Sequence, residues 1–359
     1  MARGDGTARR AAGSTALDVL LGVLGFVVGD LALRPLVPWP SELGLRAKVE
    51  HFAAHRDEYD AVVFGTSFSQ YGLDPLVLDG ELERLGRPRH TFNFAVAGMN
   101  AYELDHLLRR VLDPPPARLS ALDVETVAWN PPDVAWLEGE FQPRAVHWHD
   151  PRETLSVSRA VLDAPGDATR AARWGLVAVH LRLMVQNLTN FAQGPAMLDR
   201  LLGLDDPFSY LQPYDLSERR GFRPLLEADD VEIAARRARF LENVPAYARR
   251  VAKIEAANAR LAKAHQANLP ALVGEKELLL GTGAVVTWYV PPADSPSAEF
   301  YALGEDGTLP GLLRFNRPSR YPELYRLDSR FDRGHLNERG AAAWSRDFAA
   351  ELVAGPDAP

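Results

Sequence analysis

The stretch EYDAVVFGTSFSQYGLDP, residues 58–75, predicts a buried strand that ends in a sharp turn. Four apolar residues, 61–64, run directly into Gly65, Thr66 and Ser67. A short apolar run that ends at a glycine is typical of a strand inside a sheet. The serine then has two interpretations: it caps the helix that follows, or it is a nucleophile at the mouth of the strand.

Other short apolar runs have the form expected of strands in the same sheet, and they lie at residues 91–95, 124–129 and 284–290. Helical patterns separate the runs, such as AYELDHLLRRVL after the second one. This alternation predicts a three-layer α/β/α fold of the flavodoxin-like type, with a parallel sheet of about five strands. Functional groups gather at the carboxyl ends of such strands, where we expect Ser67, Gly98 and Asn130 to meet.

The composition is that of a folded domain, and it excludes several kinds of site. With 47% hydrophobic and 25% charged residues, the chain of 359 residues can bury a large core. The net charge of -8 argues against a nucleic-acid-binding protein, which would present a basic face. The absence of cysteine rules out disulfides, thiolate metal sites and a cysteine nucleophile.

The N-terminal part of the chain predicts a membrane anchor. Residues 1–15 form a small basic segment, and residues 16–37 are apolar apart from charges near the two ends. A span of that length fits a bilayer core of about 30 Å, and the arginines before it orient the N-terminus to the cytoplasm. A cleaved signal segment and a helix packed on the domain are the alternatives. Both membrane interpretations export the domain predicted for residues 42–356.

Residues 152–232 interrupt the alternation of strands and helices, and they predict a mostly helical insertion that covers the site. Two helical segments divided at Pro245 are expected to follow this insertion. The apolar positions of the second segment keep helical spacing. They indicate a surface helix that packs on the sheet.

The C-terminal sequence SRFDRGHLNERGAAAWSRDFAAEL, residues 329–352, supplies a carboxylate and a histidine. Asp332 and His335 lie three positions apart, just before a helix that Asn337 is expected to cap. Within one tight turn, a carboxylate at this spacing reaches the imidazole Nδ1, where it fixes the tautomer and stabilises the imidazolium. The alternative is a surface aspartate beside a histidine close to the cap.

These segments together resemble the SGNH hydrolase family, also called GDSL-like, whose blocks follow the order Ser, Gly, Asn and Asp-x-x-His. Gly65-Thr66-Ser67 resembles the first block, with Thr66 where the family usually has aspartate. Asp332 and His335 in DRGHLNERG match the last block.

The two middle blocks are matched by position after a predicted strand. Gly98 in AVAGMN matches the second block. Asn130 in VAWNPPD matches the third, where Ala128 and Pro131 replace the usual glycine and aspartate. The resemblance spans residues 59–352, skips the predicted insertion, and depends on the order of the blocks more than on any single motif.

The resemblance implies a catalytic triad and an oxyanion hole, with no metal and no other cofactor. His335 would take the proton of Ser67 as general base, and Asp332 would orient the imidazole. The backbone N–H groups of Ser67 and Gly98 and the side chain of Asn130 would hold the oxyanion. A side chain at position 98 would block the close approach of the backbone, which is a reason for glycine there.

The sequence HWHD at residues 147–150 is a separate candidate, for a metal site. His147 and His149 would lie on one face of a strand, but no third ligand is evident in the sequence. A loop near the cleft is the alternative. Three tryptophans nearby either line a carbohydrate or acyl groove or pack in the core, and they are Trp129, Trp136 and Trp148.

A single N-terminal membrane helix followed by an exported SGNH-like domain resembles proteins that acylate bacterial cell-surface polymers. The alginate-type O-acetyltransferases and the D-alanine transfer proteins of teichoic acid modification are examples. The resemblance implies serine-dependent acyl-ester transfer or hydrolysis, of the O-acetyl type, on an extracytoplasmic glycan, with an integral membrane acyltransferase as partner. The alternatives are a lipid or small-ester esterase and, without enzyme activity, a glycan-binding or assembly protein.

Overall fold

The computed structural model describes residues 32–355 apart from five internal segments, together with a few positions between 21 and 29. The omitted segments are 165–167, 191–193, 205–210, 227–230 and 261–268. Ten of the 22 residues of the predicted anchor, residues 16–37, therefore lie outside the described residues. Among the residues that are described, no helix combines the length and the apolar character needed to cross a bilayer.

One parallel sheet forms the centre of the molecule. Its strands are β1 (Ala61–Phe64), β2 (Thr91–Asn93), β3 (Ala121–Glu125), β4 (Val285–Val290) and β5 (Leu313–Arg314). They lie in the order β2-β1-β3-β4-β5, and every neighbouring pair is parallel. This order occurs in doubly wound sheets, which bind ligands beyond the carboxyl ends of their strands. The predicted α/β fold with a parallel sheet is confirmed.

Side chains of the strands alternate between two hydrophobic clusters. Val62 of β1 belongs to the first cluster and Val63 belongs to the second. In β4, Trp288 belongs to the first cluster and Tyr289 belongs to the second. Successive side chains of a strand point to opposite faces, so both faces of the sheet are buried. Burial on both faces explains why β1 is a continuous apolar run in the sequence.

Helices cover both faces of the sheet. In chain order they are α1 (Leu45–His55), α2 (Ser67–Gly72), α3 (Pro75–Arg84), α4 (Ala101–Val111), α5 (Val134–Glu138), α6 (Gln142–Trp148), α7 (Pro151–Asp163), α8 (Arg170–Leu188), α9 (Gly194–Leu202), α10 (Pro213–Ser217), α11 (Val231–Glu242), α12 (Val244–Asn258), α13 (Leu269–Gly281), α14 (Ala298–Glu305) and α15 (Glu338–Ala354). Short 3-10 turns lie at Arg34–Leu36, Glu42–Gly44, Arg56–Glu58, Pro322–Tyr325 and Leu327–Ser329. Phe52 of α1 and Leu108 of α4 pack in the first cluster, whereas Leu82 of α3 and Trp344 of α15 pack in the second.

The strand positions show one clear error of the sequence prediction. β1 and β4 lie within one residue of their predicted positions, and β2 ends two residues early. The third strand was predicted at 124–129, but β3 is Ala121–Glu125. Two buried carboxyl groups lie inside this strand, Asp123 and Glu125, and they interrupt the apolar pattern that the prediction relied on. The apolar residues after the strand were therefore mistaken for the strand itself.

Most of the chain between β3 and β4 is helical. Helices α7 to α10 lie in the region where the sequence predicts an insertion, residues 152–232. α11 ends at Glu242 and α12 begins at Val244, so the predicted division at Pro245 is confirmed to within two residues. Proline suits this position because the first N–H groups of a helix have no partner inside the helix. Ile254 of α12 packs in the second hydrophobic cluster, which attaches this helix to the sheet.

Candidate active site

Ser67 is the first residue of α2, at the carboxyl end of β1. Thr66, not Ser67, caps this helix, because its hydroxyl accepts a hydrogen bond from the Phe68 N–H at 3.4 Å. The Ser67 hydroxyl is therefore not used as the cap. Gly65 is needed just before the cap, since a Cβ there would lie 2.5 Å from the Glu125 carboxylate.

Glu125, at the end of β3, holds the turn that carries Ser67. Its carboxyl group accepts the Thr66 N–H at 3.0 Å, the Thr66 hydroxyl at 2.5 Å and the Ser69 hydroxyl. The Ser69 hydroxyl also lies 2.6 Å from the Tyr289 hydroxyl. Burial raises the pKa of Glu125, and the hydrogen bonds from Ser69 and Thr66 partly oppose that shift. The carboxyl group thus fixes the chain on both sides of Ser67.

Asp332 organises the turn that carries His335. Its Oδ1 accepts the backbone N–H groups of Gly334 at 2.7 Å and His335 at 2.8 Å. The imidazole Nδ1 lies 2.9 and 3.0 Å from the two carboxylate oxygens. Asn337 then caps α15, where its side chain accepts the Gly340 N–H at 3.0 Å. A spacing of three residues therefore lets one carboxylate bind both the backbone and the imidazole of the same turn.

The imidazole of His335 joins this turn to Ser67. Its Nε2 lies 2.8 Å from Ser67 Oγ, although the two residues are 268 positions apart in the chain. With Nδ1–H donating to Asp332, Nε2 is left to accept the Ser67 hydroxyl proton. Burial acts to raise the pKa of Asp332, but the hydrogen bond and charge of His335, together with the charge of Arg236, lower it well below its usual value. Three predicted residues thus form one hydrogen-bonded chain, called here the Ser67–His335–Asp332 chain.

Arg236, on α11, is a further charged group at this chain. Its guanidinium donates to Asp332 Oδ2, and it lies 3.1 Å from His335 Nδ1. Because Nδ1–H is directed to the carboxylate, the guanidinium acts on the pair mainly through Asp332. Its positive charge helps to keep Asp332 ionised.

A cavity of about 840 Å³ opens onto Ser67 and His335. Phe68 lines it, and its ring stacks on the imidazole of His335 with centroids 5.5 Å apart. Helices α11 and α12 contribute Phe240 and Tyr247, whose rings meet edge to face at 5.2 Å. The volume is in the range of small-molecule and substrate sites, which are commonly between about 300 and 1,000 Å³.

Gly98 lies in the loop after β2, and this loop is attached to α2. The Ala97 N–H donates to the side chain of Gln70 at 2.5 Å, and Arg144 donates to the Ala97 carbonyl at 2.8 Å. Gly98 has a φ of 70°, and a Cβ there would lie 3.1 Å from the Phe141 ring. Both features favour glycine. Gly98 is not among the described residues that line the cavity.

Asn130 is not brought to the Ser67–His335–Asp332 chain in this structure. β3 ends at Glu125, so Asn130 lies five positions beyond the sheet. Its side chain is exposed, and it is absent from the described residues that line the cavity. The displacement follows from the position of β3, which ends well before the predicted end of that strand. The assignment of Asn130 to an oxyanion hole stays a prediction.

The HWHD sequence does not form a strand. His147 lies in α6, and His149 follows the last residue of that helix. His149 Nε2 lies 2.8 Å from His180 Nδ1, and burial lowers the pKa of His149 to about 3. Trp148 is fully buried and stacks on His149 at 3.7 Å. Within the described ranges, no group of three metal-ligating side chains occurs. His149 and Trp148 are therefore core residues.

Two residues of the site, Glu125 and Arg236, were not predicted from the sequence. The sequence LDVETV carries a signal for Glu125, because carboxyl groups alternate with apolar residues in a segment that must be buried. A carboxyl group inside a buried strand needs hydrogen-bond partners, so it marks a polar contact. Arg236 has no comparable signal, since the sequence ARRARF offers three similar arginines on one helix.

Comparisons with known proteins identify no family for the chain. No protein-family model, no curated protein and no solved structure matches it. The resemblance to the SGNH hydrolases therefore depends on the motifs in the sequence and on the contacts among Ser67, His335 and Asp332.

Proposed function

We propose that the chain is a serine-dependent esterase or O-acyltransferase of the SGNH type, acting on acyl esters of an extracytoplasmic glycan. The observation that carries the proposal is the Ser67–His335–Asp332 chain, with distances of 2.8 Å from Oγ to Nε2 and 2.9 Å from Nδ1 to the carboxylate. A hydroxyl, an imidazole and a carboxylate in this order are the groups that activate a serine nucleophile. The cavity gives an ester access to the hydroxyl.

In the first step, Ser67 Oγ adds to the carbonyl carbon of the ester while its proton moves to His335 Nε2. Asp332, with its lowered pKa, stays ionised and stabilises the imidazolium through Nδ1–H. The tetrahedral intermediate then collapses as the Nε2 proton passes to the oxygen of the leaving alcohol. The products of this step are the free alcohol and an acyl ester of Ser67.

Backbone N–H groups supply the oxyanion donors in this proposal. The Ser67 N–H lies in the first turn of α2, where helical N–H groups have no partner inside the helix. The Gly98 N–H is the second donor, on the loop that Gln70 attaches to α2. Unlike Gly98, whose loop Gln70 attaches to α2, Asn130 lies five positions beyond the end of β3, so the proposal does not use its side chain.

In the second step, water or a glycan hydroxyl attacks the acyl ester of Ser67, again with His335 as general base. Water gives hydrolysis and a glycan hydroxyl gives transfer, and both reactions pass through the same acyl-enzyme. The resemblance adds the rest of the proposal: an anchor at residues 16–37, an exported domain, and an integral membrane acyltransferase that supplies the acyl group.

The test is hydrolysis of 4-nitrophenyl acetate by the full chain, with and without a glycan acceptor. Ser67→Ala and His335→Ala should each lower kcat by at least about 10⁴-fold, and the double variant should be little slower, because the residues act as a unit. Ser217→Ala, which changes an exposed serine on α10, is the matched control. Acetylated acceptor among the products identifies transfer. Full turnover by Ser67→Ala would refute the proposal.

A further inference from the structure

The described residues that line the cavity at Ser67 carry an excess of positive charge. The arginines that line it are Arg236, Arg239, Arg250 and Arg333. Two of them have carboxylate partners, because Arg236 pairs with Asp332 and Arg333 pairs with Asp294 at 3.1 Å. These two aspartates are the acidic residues among the described residues that line the cavity. Among the described residues that line the cavity, two positive charges are therefore left without a carboxylate partner, in a chain whose formal net charge is -8.

The uncompensated charges belong to Arg239 on α11 and Arg250 on α12. Neither arginine has an ion pair or a side-chain hydrogen bond with any residue in the described part of the chain. Both side chains are exposed, so water solvates the guanidinium groups. A ligand with negative charge would exchange that water for charge-assisted hydrogen bonds.

Buried neighbours hold the backbone of both arginines at the cavity. Phe240 directly follows Arg239 and is 6% exposed, and Tyr247 precedes Arg250 by three positions and is 5% exposed. The hydroxyl of Tyr247 donates to the Tyr325 carbonyl at 3.0 Å, which ties α12 to the C-terminal part of the domain. The two guanidinium groups are thus carried by a fixed wall of the cavity that contains the reactive hydroxyl.

We propose that Arg239 and Arg250 form an anion subsite, which selects ester substrates that carry a carboxylate or phosphate group near the reacting ester. Guanidinium groups bind both kinds of anion through paired N–H donors. A neutral substrate would make no such contacts, so it would gain less from binding. The selection of esters rests on the proposed function, whereas anion binding is measurable without turnover.

Calorimetric titration of the wild-type chain at low ionic strength measures the subsite directly. The probes are tetragalacturonate for carboxylates, tripolyphosphate for phosphates, and maltotetraose as the neutral control. At least one anionic probe should bind more tightly than maltotetraose and lose affinity as salt is raised, since exposed charges are screened. Arg239→Gln combined with Arg250→Gln should weaken that binding about tenfold. Arg249→Gln is the matched control, because Arg249 is an exposed neighbour on α12 that does not line the cavity.

Two outcomes of the titration overturn the proposal. The first is that neither anionic probe binds more tightly than maltotetraose. The second is that the Arg249 variant loses as much affinity as the Arg239 and Arg250 double variant, because the effect would then belong to the general surface charge.

Two pairs of esters locate the negative charge relative to the reacting bond. The succinate half-ester of 4-nitrophenol against 4-nitrophenyl acetate varies the acyl part, and 4-acetoxybenzoate against phenyl acetate varies the alcohol part. A higher kcat/KM for the anionic ester than for the neutral ester of either pair supports the subsite if the double variant loses that preference. The pair that shows the preference tells whether the subsite lies beside the acyl part or the alcohol part of the ester. If the wild type turns over the neutral esters but prefers neither anionic ester, the proposed anion subsite is contradicted. A wild type that turns over no ester contradicts the proposed function and leaves the titration to decide the subsite.

Discussion

One buried carboxyl group holds each of the two turns that form the candidate active site. Glu125 holds the turn of Ser67 and Asp332 holds the turn of His335, but the two groups differ in the distance of their partners along the chain and in the direction of their pKa shifts. Asp332 binds His335, three positions away in the same turn, whereas Glu125 binds Thr66 and Ser69, which are 59 and 56 positions away. Burial acts to raise the pKa of both groups. For Asp332 the hydrogen bond and charge of His335, together with the charge of Arg236, overcome burial and lower the pKa, whereas for Glu125 burial prevails and the pKa is raised.

This difference separates a chemical role from a positioning role. A carboxylate that stabilises an imidazolium must stay ionised, and the partners of Asp332 keep it so. The partners of Glu125 are two hydroxyls and one N–H, which carry no charge. We therefore expect changes at Asp332 to act mainly on turnover and changes at Glu125 to act mainly on stability and on the position of Ser67.

Asp332→Asn should have the largest effect of the variants that compare the two carboxyl groups. Its kcat for 4-nitrophenyl acetate should fall by about 10³–10⁴-fold, because the imidazole loses the charge that orients and stabilises it. The circular dichroism spectrum should stay that of the wild type. Asp328→Asn, at an exposed aspartate in the preceding 3-10 turn, is the matched control. A kcat within tenfold of wild type would remove Asp332 from the mechanism.

Glu125→Ala should lower the free energy of unfolding by about 2–4 kcal/mol, because buried donors of Thr66 and Ser69 lose their acceptor and a cavity is left. Its kcat should also fall by about 10- to 100-fold, since Ser67 is no longer held in place. Urea denaturation and ester turnover measure the two effects. Glu125→Gln keeps the shape and one acceptor, so its stability should lie within about 1 kcal/mol of wild type. Equal stability of Glu125→Ala and wild type would show that other contacts hold the turn.

The two carboxyl groups should give opposite dependences of stability on pH. Asp332 has a lowered pKa in the folded state, so it stabilises the fold above its unfolded pKa and that contribution fades as the pH falls. Between pH 5 and pH 3, the stability advantage of wild type over Asp332→Asn should shrink by about 1 kcal/mol.

Glu125 has a raised pKa, so its folded state retains the proton more strongly than the unfolded state. Wild type should therefore gain stability relative to Glu125→Gln as the pH falls through the raised pKa of Glu125. Urea denaturation measures the Asp332 trend between pH 5 and pH 3 and the Glu125 trend at higher pH, above the ordinary glutamate pKa of about 4.3, and trends of the same sign would contradict the assignment.

Asn130→Ala should have the smallest effect. The side chain is exposed and does not line the cavity, so kcat should stay within about threefold of wild type, whereas loss of a true oxyanion donor costs about 10²–10³-fold. Ester turnover at saturating substrate measures the difference. A loss in the larger range would return Asn130 to the oxyanion hole and would show that its loop moves onto the cavity during turnover.

The parts of the site that were predicted from the sequence depend on local contacts. A strand that ends just before Gly65 orients Ser67, and a spacing of three residues is enough for Asp332 to bind His335. Glu125 was missed because its partners lie on another strand end, and because its own strand was predicted three residues too late. Arg236 depends on how α11 docks beside the C-terminal turn, and tertiary contacts of that kind leave no periodic pattern in the sequence.

Labelling with a fluorophosphonate probe is the measurement that most directly tests the central claim, that His335 activates Ser67. The probe reacts with serines made nucleophilic by a neighbouring base. Intact-mass analysis of the wild type should show one adduct, and peptide mapping should locate it on Ser67. His335→Ala should label at least about 10²-fold more slowly. Labelling of a different serine, or equal labelling rates in wild type and His335→Ala, would contradict the account.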